Sequence, residues 1–208
     1  MKKSDRVKHI MEELERLYPE AACSLVYKDP LQLLIATQLS AQCTDARVNI
    51  VTRDLFKKYR SAQDFANADI KELEDDIRST GFYRNKVRNI IESCKKILSD
   101  YDGKVPNTMD KLLTLPGVGR KTANLVLGDI FGIPGIVVDT HVKRLSNRLG
   151  LTKEQDPVKI EFDLMKIIPK KMWSRFSHQL VSHGRAVCKA RKPECEICTL
   201  RPYCLFKN

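Results

Sequence analysis

The chain has 208 residues, enough for one large domain or two small ones sharing a core. Hydrophobic residues make up 42% and charged residues 30%, a globular balance that excludes wholesale disorder. Lysine and arginine total 37 against 26 acids, a net charge of +11, and such a field attracts polyanions, nucleic acid first among them. A basic protein with no nucleic-acid role is the plainer alternative. The opening stretch MKKSDRVKHIMEELERLYPE has no unbroken apolar segment, so no signal peptide is expected, and no apolar run approaches a membrane span. The expectation is a soluble, cytoplasmic protein with no membrane partner. Seven cysteines in a reducing compartment argue against a disulfide framework.

In chain order, helical periodicity dominates. Val7, Ile10, Met11, Leu14 and Leu17 fall at helix spacing, and Pro19 ends that segment. Leu31, Leu33, Leu34, Ile35 and Leu39 predict a buried helix opening just after Pro30; Val48, Val51, Leu55 and Phe56 predict the next. Ile70, Leu73 and Ile77 form a short helix closed near Gly81, and Val87, Ile90, Ile91, Cys94, Ile97 and Leu98 a longer one closed by Gly103 and Pro106. After the short pattern from Met109 to Leu113, Ala123, Leu125, Val126, Ile130 and Phe131 form another helix, broken at Gly132–Gly135. Two or three further helices are expected between about 142 and 187. The run 135–138 is short enough for a strand but sits between helical patterns. The fold class is therefore all-α, with no fixed-period repeat and no low-complexity tract; the Gly132–Gly135 break is the best internal boundary.

Four of the cysteines crowd the C-terminus as C-x6-C-x2-C-x5-C: Cys188, Cys195, Cys198 and Cys204. Thiolates are soft ligands, and four of them suit tetrahedral zinc or a four-iron cluster. Zinc modules usually present two close pairs; a single close pair with two lone ligands favours wrapping a cubane-sized object. Zinc stays open beside iron–sulfur. Ordinary buried cysteines do not account for them, because the segment is too poor in apolar residues to build a core. Its first loop carries Lys189, Arg191 and Lys192, which either meet DNA phosphates or form a solvated charged loop.

The stretch 115–123, Leu-Pro-Gly-Val-Gly-Arg-Lys-Thr-Ala, alternates glycines at a turn just before a helix pattern. Gly117 and Gly119 permit positive φ and close backbone approach, and amides at a helix N-terminus hold phosphate. With the short segment before it, this predicts a helix–hairpin–helix. A nucleotide-type phosphate loop fails on register, because Arg120 separates Gly119 from Lys121. A cation in the first turn opposes the macrodipole, which favours the neutral, nucleophilic amine at Lys121; a lysine that only contacts phosphate is the simpler reading. Asp139 follows the apolar run 136–138. It is either a helix N-cap or a carboxylate beside an electron-poor sugar, where it stabilises positive charge or helps deprotonate the lysine.

Taken together, these residues resemble the endonuclease III family of the helix–hairpin–helix DNA glycosylase superfamily. The resemblance covers the hairpin at 115–123, the aspartate motif Val-Asp-Thr-His at 138–141 and the cysteine spacing. It extends to Leu-Ser-Ala-Gln-Cys-Thr-Asp at 39–45 and His-Gly-Arg at 183–185. The motifs stand in family order over nearly the whole chain. The resemblance implies a [4Fe-4S] cluster on Cys188, Cys195, Cys198 and Cys204, Lys121 as the nucleophile that attacks C1′, and Asp139 as the assisting carboxylate. A Schiff base then permits β-elimination, which cuts the strand 3′ to the lesion. It further implies double-stranded DNA with oxidised pyrimidines or abasic sites as substrate, and a monomer bound to the nucleoid. Gln42 matches the residue that fills the gap left by the flipped base. Phe82 stands where the family's second wedge, often leucine, would sit. Arg120 joins Gly117 and Gly119 in the expected DNA grip. The implied architecture is a six-helix domain at 23–134 and a cluster domain at 1–22 plus 135–208, with the lesion entering the cleft between them. Two alternatives remain: a monofunctional mismatch glycosylase, whose known members lack the lysine at the position of Lys121, and a non-catalytic DNA-binding module.

Overall fold

The computed structural model describes residues 2–206, so Met1, Lys207 and Asn208 of the expected cluster domain lie outside it. Among the described residues all regular structure is helical: α1 (Lys3–Leu17), α2 (Pro30–Leu39), α3 (Asp45–Lys58), α4 (Ala62–Ala66), α5 (Ile70–Ile77), α6 (Tyr83–Asp100), α7 (Met109–Leu113), α8 (Arg120–Phe131), α9 (Thr140–Arg148), α10 (Pro157–Ile167) and α11 (Trp173–Ala186), with three short 3-10 turns. None is long and apolar enough to cross a membrane. Cys23–Gly132 form one compact unit, and the residues up to Ala22 pack with those from Ile133 onward as another.

Local chemistry sets most of the helix starts. Asp29, Thr44, Ser61, Asp69, Asp139 and Asp156 each cap a helix by accepting a backbone N–H with the side chain, as short oxygen-bearing side chains do. Pro30 and Pro157 occupy first-turn positions, where no N–H is needed. The five-residue α4 escapes the periodicity argument because it offers only Ala62 and Phe65 to the interior. A reciprocal capping box between Ser61 and Asp64 defines it instead.

In the Cys23–Gly132 unit α2 is central: every residue from Leu33 to Leu39 is buried, so this helix is covered on all sides. It packs on α3, α6 and α8, and α7 packs on α8 as the second arm of the hairpin. In the other unit Ile10 and Leu14 of α1 join Val142, Leu145, Ile160, Leu164, Phe176, Leu180 and Leu200 in one apolar cluster. Fully burying each such side chain contributes roughly 1.5–3 kcal/mol. The run at 135–138 is buried without being a strand. Ser177 on α11 accepts from the Val137 N–H at 3.0 Å, which satisfies a backbone donor that would otherwise need a sheet partner.

Candidate active site and cluster loop

The hairpin is built by exclusion of a side chain. Gly117 has φ +73°, and a Cβ there would lie 2.7 Å from the Asn89 side chain, so both conformation and space demand glycine. Leu115 and Val118 point into the core and fix the turn from below. The Pro116 carbonyl accepts from Ser93 Oγ at 2.7 Å and from Gln38 Nε2 at 3.0 Å, which ties the turn to α6 and α2. Gly119 is the N-cap of α8, and no side chain caps that helix. A Cβ on Gly119 would meet nothing within 4 Å, so the glycine faces open space. Such an uncapped N-terminus offers its first N–H groups and the positive end of its dipole to an anion. Arg120 is half-buried at the first helical position. Lys121 follows it and is exposed.

Asp139 does what a cap does: its Oδ1 accepts the Val142 N–H at 2.8 Å, so the carboxylate is held at the start of α9 and is only half-buried. The cap and the catalytic expectation are compatible, because capping fixes where the charge points. Lys121 belongs to the Cys23–Gly132 unit and Asp139 to the other.

The two expected wedge residues share a backbone peculiarity. Gln42, in the turn after α2, has φ +54°, and Phe82, the N-cap of α6, has φ +48°. Both are exposed, Phe82 at 64%. Among the described residues only Asp102 and Lys192 join them as non-glycine residues at positive φ, and Lys192 lies in the basic loop. Left-handed backbone is unfavourable for L-residues and gathers where the surrounding structure enforces it, often at functional sites.

All four C-terminal cysteines line one cavity, with His183, Arg148 and Leu145 among its other walls. No three or more His, Cys, Asp or Glu side chains among the described residues converge closely enough to hold a single metal ion. Four thiols lining one cavity are a ligand set of the kind that holds an iron–sulfur cluster. Burial pushes the Cys198 and Cys204 thiols up, and at Cys198 the other three sulfurs add repulsion. Four clustered thiolates become stable only around positive metal.

Two positions that composition and spacing could not mark serve this loop. Arg148 on α9 donates to Cys188 Sγ at 3.2 Å and to the Lys189 and Ala190 carbonyls at 2.8 and 3.0 Å. Arg144, one turn earlier, donates to the Cys188 carbonyl at 2.9 Å. His183, whose pKa burial lowers to about 4, is neutral at physiological pH. It bridges Tyr18 Oη at 3.0 Å and Cys198 Sγ at 3.4 Å. Gly184, next in the His-Gly-Arg stretch, lets α9 approach: a Cβ there would lie 2.7 Å from His141 Nδ1. In the basic loop Lys189, Arg191 and Lys192 are all exposed, though Lys189 is already paired with Glu194.

This hairpin and thiol cavity agree with what the chain matches elsewhere. Residues 35–170 match the HhH-GPD superfamily of base excision DNA repair proteins, and residues 188–204 match the iron–sulfur binding domain of endonuclease III. The class is thus a helix–hairpin–helix base excision repair protein with an iron–sulfur loop. Endonuclease III of Synechocystis sp. is 57% identical over 97% of this chain and 93% of its own length. That of Bacillus subtilis is 46% identical over 96% and 91%. A solved structure of a trapped endonuclease III–DNA covalent intermediate shares 48% identity with a TM-score of 0.95, covering 99% of this chain and 97% of that one. A thermostable thymine-DNA glycosylase, at 23% identity and TM-score 0.86, shares the fold. The chain belongs to the endonuclease III family, and its cofactor is a [4Fe-4S] cluster.

Proposed function

We propose that this DNA glycosylase and abasic-site lyase acts on oxidised pyrimidines in double-stranded DNA, with Lys121 as nucleophile and Asp139 as its assisting carboxylate. The observation that carries the proposal is Lys121 itself. It is an exposed amine at the second position of an uncapped helix, directly behind a turn that only glycine can make.

The chemistry follows from that placement. The Lys121 amine attacks C1′ of the extruded nucleotide. The bond from C1′ to the base breaks, and its electron pair leaves with the base, which takes up a proton. Asp139 stabilises the positive charge that develops on the sugar. The amine sheds a proton, and its nitrogen lone pair then forms an imine with C1′ as the C1′–O4′ bond breaks and O4′ takes up a proton; the imine acidifies the C2′ protons. Loss of one of these expels the 3′ phosphate oxygen and cuts the strand. Gly117, Gly119 and Arg120 hold backbone phosphate without reading sequence. Gln42 and Phe82 enter the space vacated by the extruded nucleotide, whose removal from the stack costs about a few kcal/mol. Lys189, Arg191 and Lys192 meet phosphates from the loop that the cluster shapes. The cluster supplies a rigid, positively charged anchor for the four thiolates, and the reaction is carried by the side chains. In domain terms, 23–134 carry the hairpin and the nucleophile, and 1–22 with 135–208 carry the cluster and Asp139. The protein works as a monomer on the bacterial chromosome.

Borohydride reduction tests this. Mixed with a thymine-glycol duplex and reductant, the wild-type chain is expected to form a covalent protein–DNA adduct, and Lys121→Ala to form none while still binding the duplex. An adduct that survives in Lys121→Ala assigns the nucleophile elsewhere. A wild-type chain that binds DNA yet neither releases base nor traps is the non-catalytic module.

A further inference from the structure

Among the described residues no carboxylate pairs with the buried cation Lys86. It is 5% exposed, and its ammonium donates to two neutral carbonyls, Leu39 O at 2.7 Å and Thr80 O at 2.9 Å. Burying an ammonium is expensive unless its protons are satisfied, and carbonyls at helix ends, carrying the negative end of the dipole, are suitable acceptors. The desolvation is felt: burial pushes the Lys86 amine below its ordinary range, and among charged neighbours only the Cys43 thiol opposes this. A methionine or leucine would fill the same space at lower cost, so core packing does not explain the residue.

The two carbonyls do. Leu39 is the last residue of α2, three positions before Gln42; Thr80 ends the 3-10 turn after α5, two positions before Phe82. Lys86 therefore clamps the last fixed point before each exposed left-handed turn. Its own backbone N–H donates to the Phe82 carbonyl at 3.2 Å, so it holds the Phe82 turn from both sides. Each turn alone is a short surface excursion with a strained residue at or near its tip. A side chain that replaces a nucleotide in a stack must not yield under the stack's pressure. We propose that Lys86 is a positioning residue that joins the Gln42 and Phe82 turns into one rigid wedge. This rests on the reading of those two side chains as the ones that enter the duplex.

Single-turnover rates on two substrates test it. Base release from a paired thymine-glycol duplex needs the wedge; borohydride trapping on a single-stranded abasic oligonucleotide does not. For Lys86→Met, which keeps the length and removes the donors, base release is expected to fall about tenfold or more, while trapping stays within about twofold of wild type. Fluorescence of 2-aminopurine beside the lesion, which rises on unstacking, is expected to lose most of its enzyme-induced increase. Combined with Gln42→Ala, the losses are expected to be non-additive, because the clamp acts through the wedge; an independent structural defect would add. Lys86→Arg, which keeps charge and donors, is expected to recover at least half of the fluorescence signal. If Lys86→Met melts below assay temperature, Lys86→Arg carries the test, with a smaller loss confined to the paired substrate. Equal losses on both substrates, additive losses with Gln42→Ala, or no loss in either variant overturns the clamp. If Gln42→Ala and Phe82→Ala leave wild-type rates on the paired duplex, the wedge reading fails instead, whatever Lys86 does.

Discussion

Asp139 shows how one side chain carries two functions that a mutation can separate. Its carboxylate caps α9 through Val142, and we assign it a charge-stabilising role at the sugar. Asparagine caps about as well as aspartate, whereas alanine loses the bond and costs about 1 kcal/mol. Asp139→Asn is therefore expected to keep its melting temperature near wild type while base release slows by about a hundredfold or more. Affinity for an uncleavable abasic-analogue duplex, read by anisotropy, should change only slightly. A parallel loss in binding and rate would contradict the assigned role. Lys86 and Gln38 make the complementary point about legibility. Position 86 reads as one more surface lysine on an amphipathic helix, and position 38 as one more polar residue beside Leu39. Their importance is set by carbonyls 47 and 78 residues away in sequence, at Leu39 and Pro116, and no local pattern announces such partners.

At the scale of elements, the long helices were legible because their apolar residues repeat at helical spacing: α2, α6 and α8 appear where that spacing predicts them. The five-residue α4 was not, being too short to show a period. The three helices beyond 139 were legible in number only loosely, since their polar faces interrupt the pattern. The basic loop at 189–192 is the element whose function charge alone left even between a phosphate contact and a solvated turn. Its geometry now separates its members. Lys189 is paired with Glu194, whereas Arg191 and Lys192 are exposed on a turn shaped by left-handed backbone at Lys192 and by the carbonyl contacts of Arg148. Each phosphate contact contributes about one unit to the slope of log affinity against log salt. Arg191→Ala and Lys192→Ala are each expected to reduce that slope by about 1, uniformly across DNA sequences, and Lys189→Ala by clearly less. Slopes unchanged in all three variants would return the loop to the solvated reading.

At the scale of the molecule, the two compact units depend on different things. Cys23–Gly132 has its own apolar interior, with Leu33, Leu34, Ile35, Leu39, Leu73, Ile77, Ile90 and Ile97 each at or near complete burial. The segment from Cys188 to Phe206 has only Leu200 fully buried; Arg144 and Arg148 tie it to α9, and we assign the rest of its support to the cluster on its four thiolates. Its backbone is folded by a handful of bonds, among them Glu194 N–H to the Val187 carbonyl at 3.1 Å and Arg201 N–H to the Cys198 carbonyl at 3.0 Å. Metal binding that organises such a segment is folding free energy for that segment. Removing one proposed ligand with Cys198→Ala is therefore expected to lose iron and the yellow-brown colour. It should also abolish hydrogen-exchange protection at Glu194 and Arg201 while leaving α2, α6 and α8 protected as in wild type. The exposed cations of the loop would lose their fixed positions, so affinity for duplex DNA should fall together with its salt slope. The hairpin, built wholly from residues of the other unit, keeps its exchange pattern. Protection lost to the same degree throughout α2, α6 and α8 would mean that the cluster supports the entire chain, and the separation of roles between the two units would have to be abandoned.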